Sequence, residues 1–464
     1  METPHVVTYH GIVFFRFPLS RFPLFTPSPS FAHMKVIRHT DADYAAKLAE
    51  VTAPSSLFDP VIEERARAII EVVRERGDEA LLILTERFDG AMLEADQLAL
   101  TQAEFMRAAL GADDGLREAV ALAHKNILAY SKRCLRKNWK SRNAQGAMVG
   151  EKFDPFQRIG IYIPGGMAPL VSTALMTVTL AKAAGCPEIV VCTPCGKDGT
   201  VNPALLYAAR VAGATEVYRV GGAQAIAALA LGTKTIRRTQ KIFGPGNAYV
   251  VAAKRLLVGH VAIDLLPGPS ELLVLADDTA NAKFAAADLI AQAEHGSGYE
   301  RVWLVTPSAR VVNAVEKELA KQLPKAKRRA LIEPVLANNS WAIQTKTLDD
   351  AIALTNQLAP EHLEIMTRNA GKVSERITTA GAIFLGAWTP TVLGDYVAGP
   401  SHTLPTGGAG LSFPGLTADM FQRRTSLVEY SKPALKKSLK AVQKFAEMEG
   451  LDGHGKSAEV RLTK

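Results

Sequence analysis

A glutamine and a histidine stand three residues apart near the end of a predicted helix, in Gln292-Ala293-Glu294-His295. Residues three apart share one helix face, so both side chains could converge on one metal ion. A histidine at a helix C-terminus is also favoured simply by the helix dipole. Because glutamine is an uncommon zinc ligand, spacing alone leaves both interpretations open.

A glutamate and a histidine are adjacent in Pro360-Glu361-His362, just before a predicted strand. Such a pair could supply a general acid and a general base. Neighbours on a regular strand point to opposite faces, so both can serve one substrate only if the backbone turns there. Pro360 favours an irregular entry of this kind.

Two Gly-rich segments near the C-terminus carry further polar side chains. Asp395 and His402 belong to the loop GDYVAGPSH, and His454 ends the string EGLDGH in the tail. Polar residues on such loops are often functional. A turn-capping aspartate and a solvated terminal histidine are the alternatives.

The elements that must position these residues follow an alternating pattern. Short β-branched runs alternate with Ala-rich helical segments from residue 159 to 220 and again from 272 to 385. This alternation predicts an α/β fold with two Rossmann-like parallel-sheet domains and a crevice for a ligand between them. Apolar residues at three- and four-residue spacing predict helices between about 61 and 130.

The pattern also predicts domain boundaries. Residues 34–158 and 269–386 are expected to form the first α/β domain, with its N-terminal helices, and residues 159–268 the second. Residues 387–464 are expected to be a C-terminal tail. Residues 1–33, rich in Phe and Pro, are interpreted as a disordered extension upstream of a natural start at Met34.

Glycine-rich turns are candidates for a phosphate site, although no G-x-G-x-x-G follows a predicted strand. Pro164-Gly165-Gly166 comes directly after a strand, and Gly244-Pro245-Gly246-Asn247 opens a helix. Their N–H groups would suit a pyrophosphate. Since such turns usually only reverse the chain, each is a weak signal by itself.

Composition narrows the class of protein. The net charge is +8, but acidic residues are spread along most of the chain and aromatic residues do not interleave with the basic runs. We therefore expect no nucleic-acid partner. The sequence has no apolar run of about 18 residues, so we expect no membrane-spanning helix. Four cysteines make no disulfide framework, which fits the reducing cytoplasm. We interpret Cys192-Thr-Pro-Cys195 as the end of a strand rather than a redox or zinc motif.

Taken together, these segments resemble the histidinol dehydrogenase family from about Met34 to the C-terminus. Eight strings occur in the order of the family, and their joint agreement by chance is negligible. They are YIPGG at Tyr162, GGAQAIAALA at Gly221, GPGNAYV at Gly244, GPSE at Gly268, QAEHG at Gln292, APEHLE at Ala359, GDYVAGPSHTLPTGG at Gly394 and EGLDGH at Glu449.

The resemblance implies an NAD-dependent, zinc-containing enzyme of histidine biosynthesis. It would oxidise L-histidinol through bound L-histidinal to L-histidine, as a cytoplasmic homodimer with shared active sites and one zinc per subunit. The implied zinc ligands are Gln292, His295, Asp395 and His454, with His454 supplied across the dimer. Amide and carboxylate oxygens with imidazole nitrogens suit this borderline ion.

The resemblance also implies roles for residues that spacing alone leaves open. Glu361 and His362 correspond to the catalytic residues. Substrate contacts correspond to the metal ligands and His362, together with Ser270, His402 and Glu449; NAD contacts correspond to Tyr162, Gln224 and Asn247. A related dehydrogenase of another polar alcohol, such as a sulfonated diol, is the alternative. The joint presence of His402, Glu449 and His454 favours histidinol.

Overall fold

Parallel strands joined by crossover helices organise the computed structural model, which describes residues 33–53, 59–165 and 169–463 and two short strands before them. Within this part of the chain the strands are β1 His5–Tyr9, β2 Ile12–Arg16, β3 Lys35–Arg38, β4 Trp139–Arg142, β5 Met148–Pro155, β6 Arg158–Tyr162, β7 Glu188–Thr193, β8 Glu216–Arg219, β9 Lys241–Phe243, β10 Ala262–Ile263, β11 Glu271–Ala276, β12 Arg301–Thr306, β13 Ser340–Gln344, β14 His362–Met366, β15 Ala382–Leu385 and β16 Gln422–Glu429.

Helices connect and cover these strands. In the same described ranges they are α1 Tyr44–Thr52, α2 Pro60–Arg76, α3 Asp78–Asp89, α4 Gln102–Gly111, α5 Asp114–Cys134, α6 Val171–Ala184, α7 Pro203–Ala212, α8 Gly222–Leu231, α9 Ala248–Leu256, α10 Ala282–Ala293, α11 Ala309–Gln322, α12 Arg329–Asn338, α13 Leu348–Leu358, α14 Ala370–Ser374, α15 Val392–Tyr396, α16 Lys432–Glu449 and α17 Asp452–Glu459. None of these helices combines the length and the apolar character that a membrane span requires.

The first large sheet has five parallel strands in the order β10-β9-β6-β7-β8. When the five strands are numbered 1 to 5 in chain order, the sheet reads 3-2-1-4-5 from its β8 edge. This is the order of a doubly wound sheet. Its central strands are buried on both faces, as the β-branched residues Ile159, Ile161, Val190 and Val191 require. The strand order reverses between β6 and β9, which is where such sheets open a crevice.

The second large sheet repeats this winding in the order β15-β14-β11-β12-β13-β3, again with all strands parallel. The N-terminal strand β3 adds a sixth member beside β13. The two sheets confirm the predicted α/β fold with two Rossmann-like domains that lack the usual glycine fingerprint.

The helices between residues 60 and 134 pack differently from the prediction. Ile70 and Leu81 share a core with Ile226 of the five-stranded sheet's domain, and Ile127 shares another with Ile161. Before residue 158, the buried residues in the core of the six-stranded sheet are Met34, Ile37 and Val51. An amphipathic stripe shows that a helix is buried but not which sheet buries it, so the assignment of residues 34–158 to the first domain differs from the packing.

The C-terminal segment is also divided. Residues up to 421 still belong to the body, because Phe421 is fully buried and its ring stacks on Phe243 with centroids 3.8 Å apart. Beyond it, β16 pairs antiparallel with β5, which also pairs with β4. Helices α16 and α17 then pack on each other and leave Phe445 and Met448 64% and 70% exposed. The predicted tail at 387–464 therefore begins only at β16.

The N-terminal prediction falls mostly outside the described residues. Of residues 1–32 the structure describes only β1 and β2, which form an antiparallel hairpin that the sequence pattern did not predict. The expectation that residues 1–33 are a disordered extension stays a prediction.

A buried ion pair fixes one Gly-rich turn. Lys254 and Asp264 form this pair with no exposed side-chain area, and Lys254 Nζ also donates to the Gly244 carbonyl at 2.9 Å. The Gly244 N–H donates to Asp264 Oδ2 at 2.8 Å. Gly244 has φ +109°, and a Cβ there would lie 2.1 Å from the Tyr162 carbonyl oxygen. Only glycine allows this turn to press against the end of β6.

Candidate active site

The candidate catalytic residues gather where the strands of the six-stranded sheet begin. Adjacent parallel strands β11 and β14 place Leu272 opposite His362, so the residues just before both strands lie side by side. A crossover helix runs antiparallel to its strands, and the C-terminal end of α10 therefore returns to this same edge. Most doubly wound sheets bind ligands at the opposite, carboxyl ends of their strands.

His362 is 3% exposed and held from two sides. Its Nδ1 lies 3.0 Å from the Glu271 carbonyl oxygen, and because a carbonyl can only accept, Nδ1 carries the proton. Its Nε2 faces Asp395 Oδ1 at 3.7 Å. The tautomer set by Glu271 thus leaves Nε2 as the nitrogen available to take a proton.

Glu361 joins His362 although the two are sequence neighbours. Glu361 precedes β14, and its Oε2 lies 3.4 Å from His362 Nδ1 and accepts the Glu271 N–H at 2.7 Å. Just before them, Ala359 has φ +46°, the one positive value among described non-glycine residues. The left-handed residue and Pro360 make the irregular entry that the sequence predicted, and both side chains reach one side.

Neighbouring negative charges outweigh burial in setting the pKa of His362. Burial alone would lower its pKa, but the carboxylates of Glu361 and Asp395 and the hydrogen bond to Glu271 raise the pKa to about 9. Neutral imidazole, the form that acts as a base, is favoured by whatever offsets the negative charge of these carboxylates.

His402 joins the two halves of the molecule. Its Nδ1 donates to the Asp395 carbonyl oxygen at 3.1 Å, and its Nε2 accepts from the Thr173 hydroxyl at 3.3 Å. Thr173 lies in the first turn of α6, which follows β6 of the five-stranded sheet. Burial lowers the pKa of His402, so its ring is neutral at physiological pH. The start of the six-stranded sheet therefore faces the end of the five-stranded one.

Gln292 and His295 lie at the end of α10, as predicted. Gln292 is buried, and its amide Nε2 has no hydrogen-bond partner in the described structure. His295 donates from Nδ1 to the Gln292 carbonyl at 2.9 Å, so its Nε2 is directed elsewhere. The unpartnered atom of Gln292 is a donor nitrogen, so Gln292 could bind a metal only through its amide oxygen, next to the free nitrogen of His295.

A buried carboxyl pair that the sequence reasoning missed supports these ligands. Glu364, two residues after His362, accepts the N–H of Thr391, at the start of the loop that carries Asp395, at 2.8 Å. Asp288 of α10 faces it, and burial followed by this charge raises the pKa of Glu364 well above its ordinary value. The pair ties α10 and the Asp395 loop to β14. Its signals in the sequence are a glutamate inside an apolar strand and an aspartate on the face of α10 that leads to the ligands, with Asp288 four residues before Gln292 and seven before His295.

Within one chain the predicted metal site is incomplete. Across the described residues, no three His, Cys, Asp or Glu side chains gather as a metal site would require. His295 and Asp395 are the candidates at the sheet edge, and Gln292 would add an amide oxygen. Glu449 and His454 are exposed on the C-terminal helices, and no contact in the structure brings them to this edge. Ser270 lies directly before β11 and is half-buried.

The predicted NAD contacts lie at the carboxyl edge of the five-stranded sheet. Tyr162 ends β6, and its hydroxyl accepts the Gly222 N–H at 3.1 Å. Gln224 is buried, and its Oε1 has no partner among the described residues. Asn247 caps α9 by accepting the Tyr249 N–H at 3.0 Å, which leaves its amide nitrogen free. Tyr162 and Gln224 meet at the Gly222 turn, whereas Asn247 lies at the neighbouring Gly244 turn.

The cysteines play no visible part in this chemistry. Burial raises the pKa of the Cys195 thiol to about 11, and it raises that of Cys192 further. Both thiols are free and remain protonated at neutral pH. This agrees with the interpretation of the pair as the end of a strand.

Comparison with known proteins identifies the family. The model of the histidinol dehydrogenase family matches residues 55–462. A histidinol dehydrogenase from Geobacillus kaustophilus is 45% identical over 87% of this chain and 95% of its own length. This chain belongs to the histidinol dehydrogenase family. One from Synechococcus is 44% identical over 87% of this chain and 93% of its own, and the crystal structure of histidinol dehydrogenase from Elizabethkingia anophelis superimposes with a TM-score of 0.89, at 34% identity over 93% of this chain and 99% of the other.

Membership of the histidinol dehydrogenase family confirms the resemblance and the prediction of an oxidoreductase. The fold that the family member from Elizabethkingia anophelis shares also confirms the α/β architecture. The individual roles of the site residues rest on the geometry given above.

The carboxyl pair predicts a pH effect on stability. Folding raises the pKa of Glu364, and that of Asp288 to about 6, so the native state holds protons that the unfolded chain releases. Stability from this pair is therefore present at low pH and is lost as pH rises above about 4.5. Glu364→Gln does not titrate and still accepts from Thr391, so its stability should fall less between about pH 5 and 8.

Urea unfolding of both proteins across this pH range, with a chelator throughout, tests the prediction. The exposed Glu375→Gln is the matched control and should follow the wild type. Parallel stability profiles for wild type and Glu364→Gln would show that the pair holds no proton.

Proposed function

We propose that this chain oxidises L-histidinol to L-histidine through bound L-histidinal, using NAD⁺ twice and one zinc ion per subunit. The observation that carries the proposal is the meeting of Glu361 and His362 with Asp395 at one sheet edge, in a member of the histidinol dehydrogenase family. A base and a second carboxylate at one point are what an alcohol oxidation followed by an aldehyde oxidation requires.

His362 is the base for the alcohol proton. Its Nδ1 is committed to the Glu271 carbonyl, so proton transfer takes place at Nε2. Burial at 3% exposure keeps bulk water from this nitrogen. General base catalysis of this kind contributes roughly 10²–10⁴-fold.

Glu361 is the residue that activates water in the second oxidation. Its Oε2 is occupied by the Glu271 N–H, which orients the carboxylate and leaves Oε1 to accept a proton from water. His362 beside it stabilises the negative charge of the carboxylate. Attack of this water on the aldehyde gives the hydrate that is oxidised to the acid.

The metal and the cofactor fit the residues that would hold them. Zinc would take the Gln292 amide oxygen, His295, Asp395 and His454, and His295 can offer Nε2 because its Nδ1 is bonded to the Gln292 carbonyl. When bound, it would fix the imidazole and amino nitrogens of histidinol and offset the Asp395 charge that raises the pKa of His362. NAD⁺, held near Tyr162, Gln224 and Asn247, would accept the hydride in each oxidation.

A homodimer would complete each site. Helices α16 and α17 carry Glu449 and His454 together with the exposed apolar side chains of Phe445 and Met448. Exposed apolar surface on a projecting pair of helices favours docking onto another protein surface. We propose that the tail lies over the partner subunit and brings its histidine and glutamate to the partner's site. Such an exchange makes the two sites symmetric.

Turnover with defined metal content tests the reaction. Purified protein with L-histidinol and NAD⁺ should form two NADH per histidinol, because the alcohol-to-acid conversion removes four electrons. Chelation should abolish NADH formation, and added zinc should restore it. The formation of NADH is measured by its absorbance. Zinc-loaded dimer that oxidises only another polar alcohol, such as a sulfonated diol, would contradict the proposed substrate.

Glu361→Gln separates the two oxidations. The amide cannot take a proton from water, so conversion of supplied L-histidinal to histidine should slow by about 10²–10⁴-fold. The first oxidation, which uses His362, should slow much less. Rapid-mixing measurement of NADH from each substrate distinguishes the steps, with the exposed Glu118→Gln as the matched control. Full-rate oxidation of L-histidinal by Glu361→Gln would remove Glu361 from this role.

Mixed dimers test the shared site. His362→Ala and His454→Ala should each be inactive alone, since each damages every site. Dissociation and random reassociation of the two variants should restore about a quarter of wild-type activity, because half the dimers are mixed and each has one intact site. NADH formation after mixing is the measurement. Two inactive variants that stay inactive when mixed, with mixed dimers verified by mass spectrometry, would place His454 in its own subunit's site.

A further inference from the structure

A carboxylate that has no role in the proposed function, that of Asp89, lies beside the Gly221–Gly222 turn. Asp89 is the last residue of α3, and its buried Oδ2 has no hydrogen-bond partner in the described part of the chain. A Cβ added to Gly221 would lie 3.3 Å from this oxygen and 2.7 Å from Pro194 Cβ. The loops after β7 and β8 therefore close around Asp89.

A second unpartnered acceptor faces the same turn. Gln224 is 1% exposed, and its Oε1 would lie 2.7 Å from a Cβ on Gly222, where φ is +62°. The Tyr162 hydroxyl accepts the Gly222 N–H, and its own proton remains free. A buried acceptor without a donor is costly. Two of them around one glycine turn indicate a ligand that brings hydrogen-bond donors.

The neighbouring cation does not supply these donors. Arg219 ends β8, the strand that leads into the turn, but its guanidinium donates to the carbonyl of Gly199 at 2.7 Å and pairs with Glu104. A carboxylate beside a dinucleotide suits the two hydroxyls of a ribose, whereas an available arginine suits the 2′-phosphate of NADP. Asp89 provides the first arrangement.

We propose that Asp89 accepts hydrogen bonds from the ribose hydroxyls of the adenosine half of NAD⁺ and thereby excludes NADP⁺. This inference rests on the proposed function, since it places the cofactor at Tyr162 and Gln224. A 2′-phosphate at this position would remove one donor and bring negative charge against the carboxylate. Burial raises the pKa of Asp89 to about 6, so the group is ionised at neutral pH.

Fluorescence titration with NADH and with NADPH measures both affinities without turnover. Wild type should bind NADH more tightly than NADPH. Asp89→Asn keeps the size of the side chain but loses its charge, so NADH affinity should fall about tenfold while NADPH affinity holds or rises. Asp96→Asn, a matched change at an exposed position shortly after α3, should leave both affinities unchanged.

Each outcome decides the matter. Equal weakening of both dinucleotides in Asp89→Asn would show that the carboxylate meets a group common to them, and unchanged affinities would show that it meets neither; both results overturn the proposal. Circular dichroism and thermal unfolding of Asp89→Asn separate these results from misfolding. A wild-type protein that binds neither dinucleotide and makes no histidine would overturn the proposed function itself.

Discussion

The backbone carbonyl and N–H of one residue, Glu271, hold both candidate catalytic side chains. The Glu271 carbonyl accepts from His362 Nδ1 at 3.0 Å, and the Glu271 N–H donates to Glu361 Oε2 at 2.7 Å. These bonds exist only because β11 and β14 are neighbours in register at the point where the strand order reverses. Backbone groups of a buried sheet move little, so the tautomer of the histidine and the orientation of the glutamate are set before any substrate arrives.

Four acidic residues lie at the end of the sheet where His362 stands, and burial raises the pKa of two of them. Glu361 and Asp395 raise the pKa of the histidine, whereas burial raises the pKa of Glu271 to about 7 and that of Glu364 well above its ordinary value. Had all four been ionised, their mutual repulsion would disfavour the fold. Protonated carboxyls instead serve as hydrogen-bonding supports, as Glu364 does for the loop that carries Asp395.

Local pattern predicted the elements, the α/β class and the turn before β14, because hydrophobic period, glycine and proline act over a few residues. It did not predict which sheet buries α2 to α5, since an apolar stripe carries no information about its partner. The contact of Glu271 with His362 spans some ninety residues and depends on register, so no local signal reveals it. Glu364 and Asp288 were visible as polar residues in apolar settings, but only the folded sheet shows that they face each other.

The five-stranded sheet directs its carboxyl end, and the six-stranded sheet its amino end, toward the contact between Thr173 and His402. Glycine turns after β8 and β9 lie beside unpartnered acceptors, while the start of β14 offers a base with a carboxylate next to it. The hydrogen bond between Thr173 and His402 joins these edges. In the proposed homodimer, the exposed C-terminal helices that carry Glu449 and His454 would cover the partner's site, and this would explain why the apolar side chains of α16 are uncovered in a single chain.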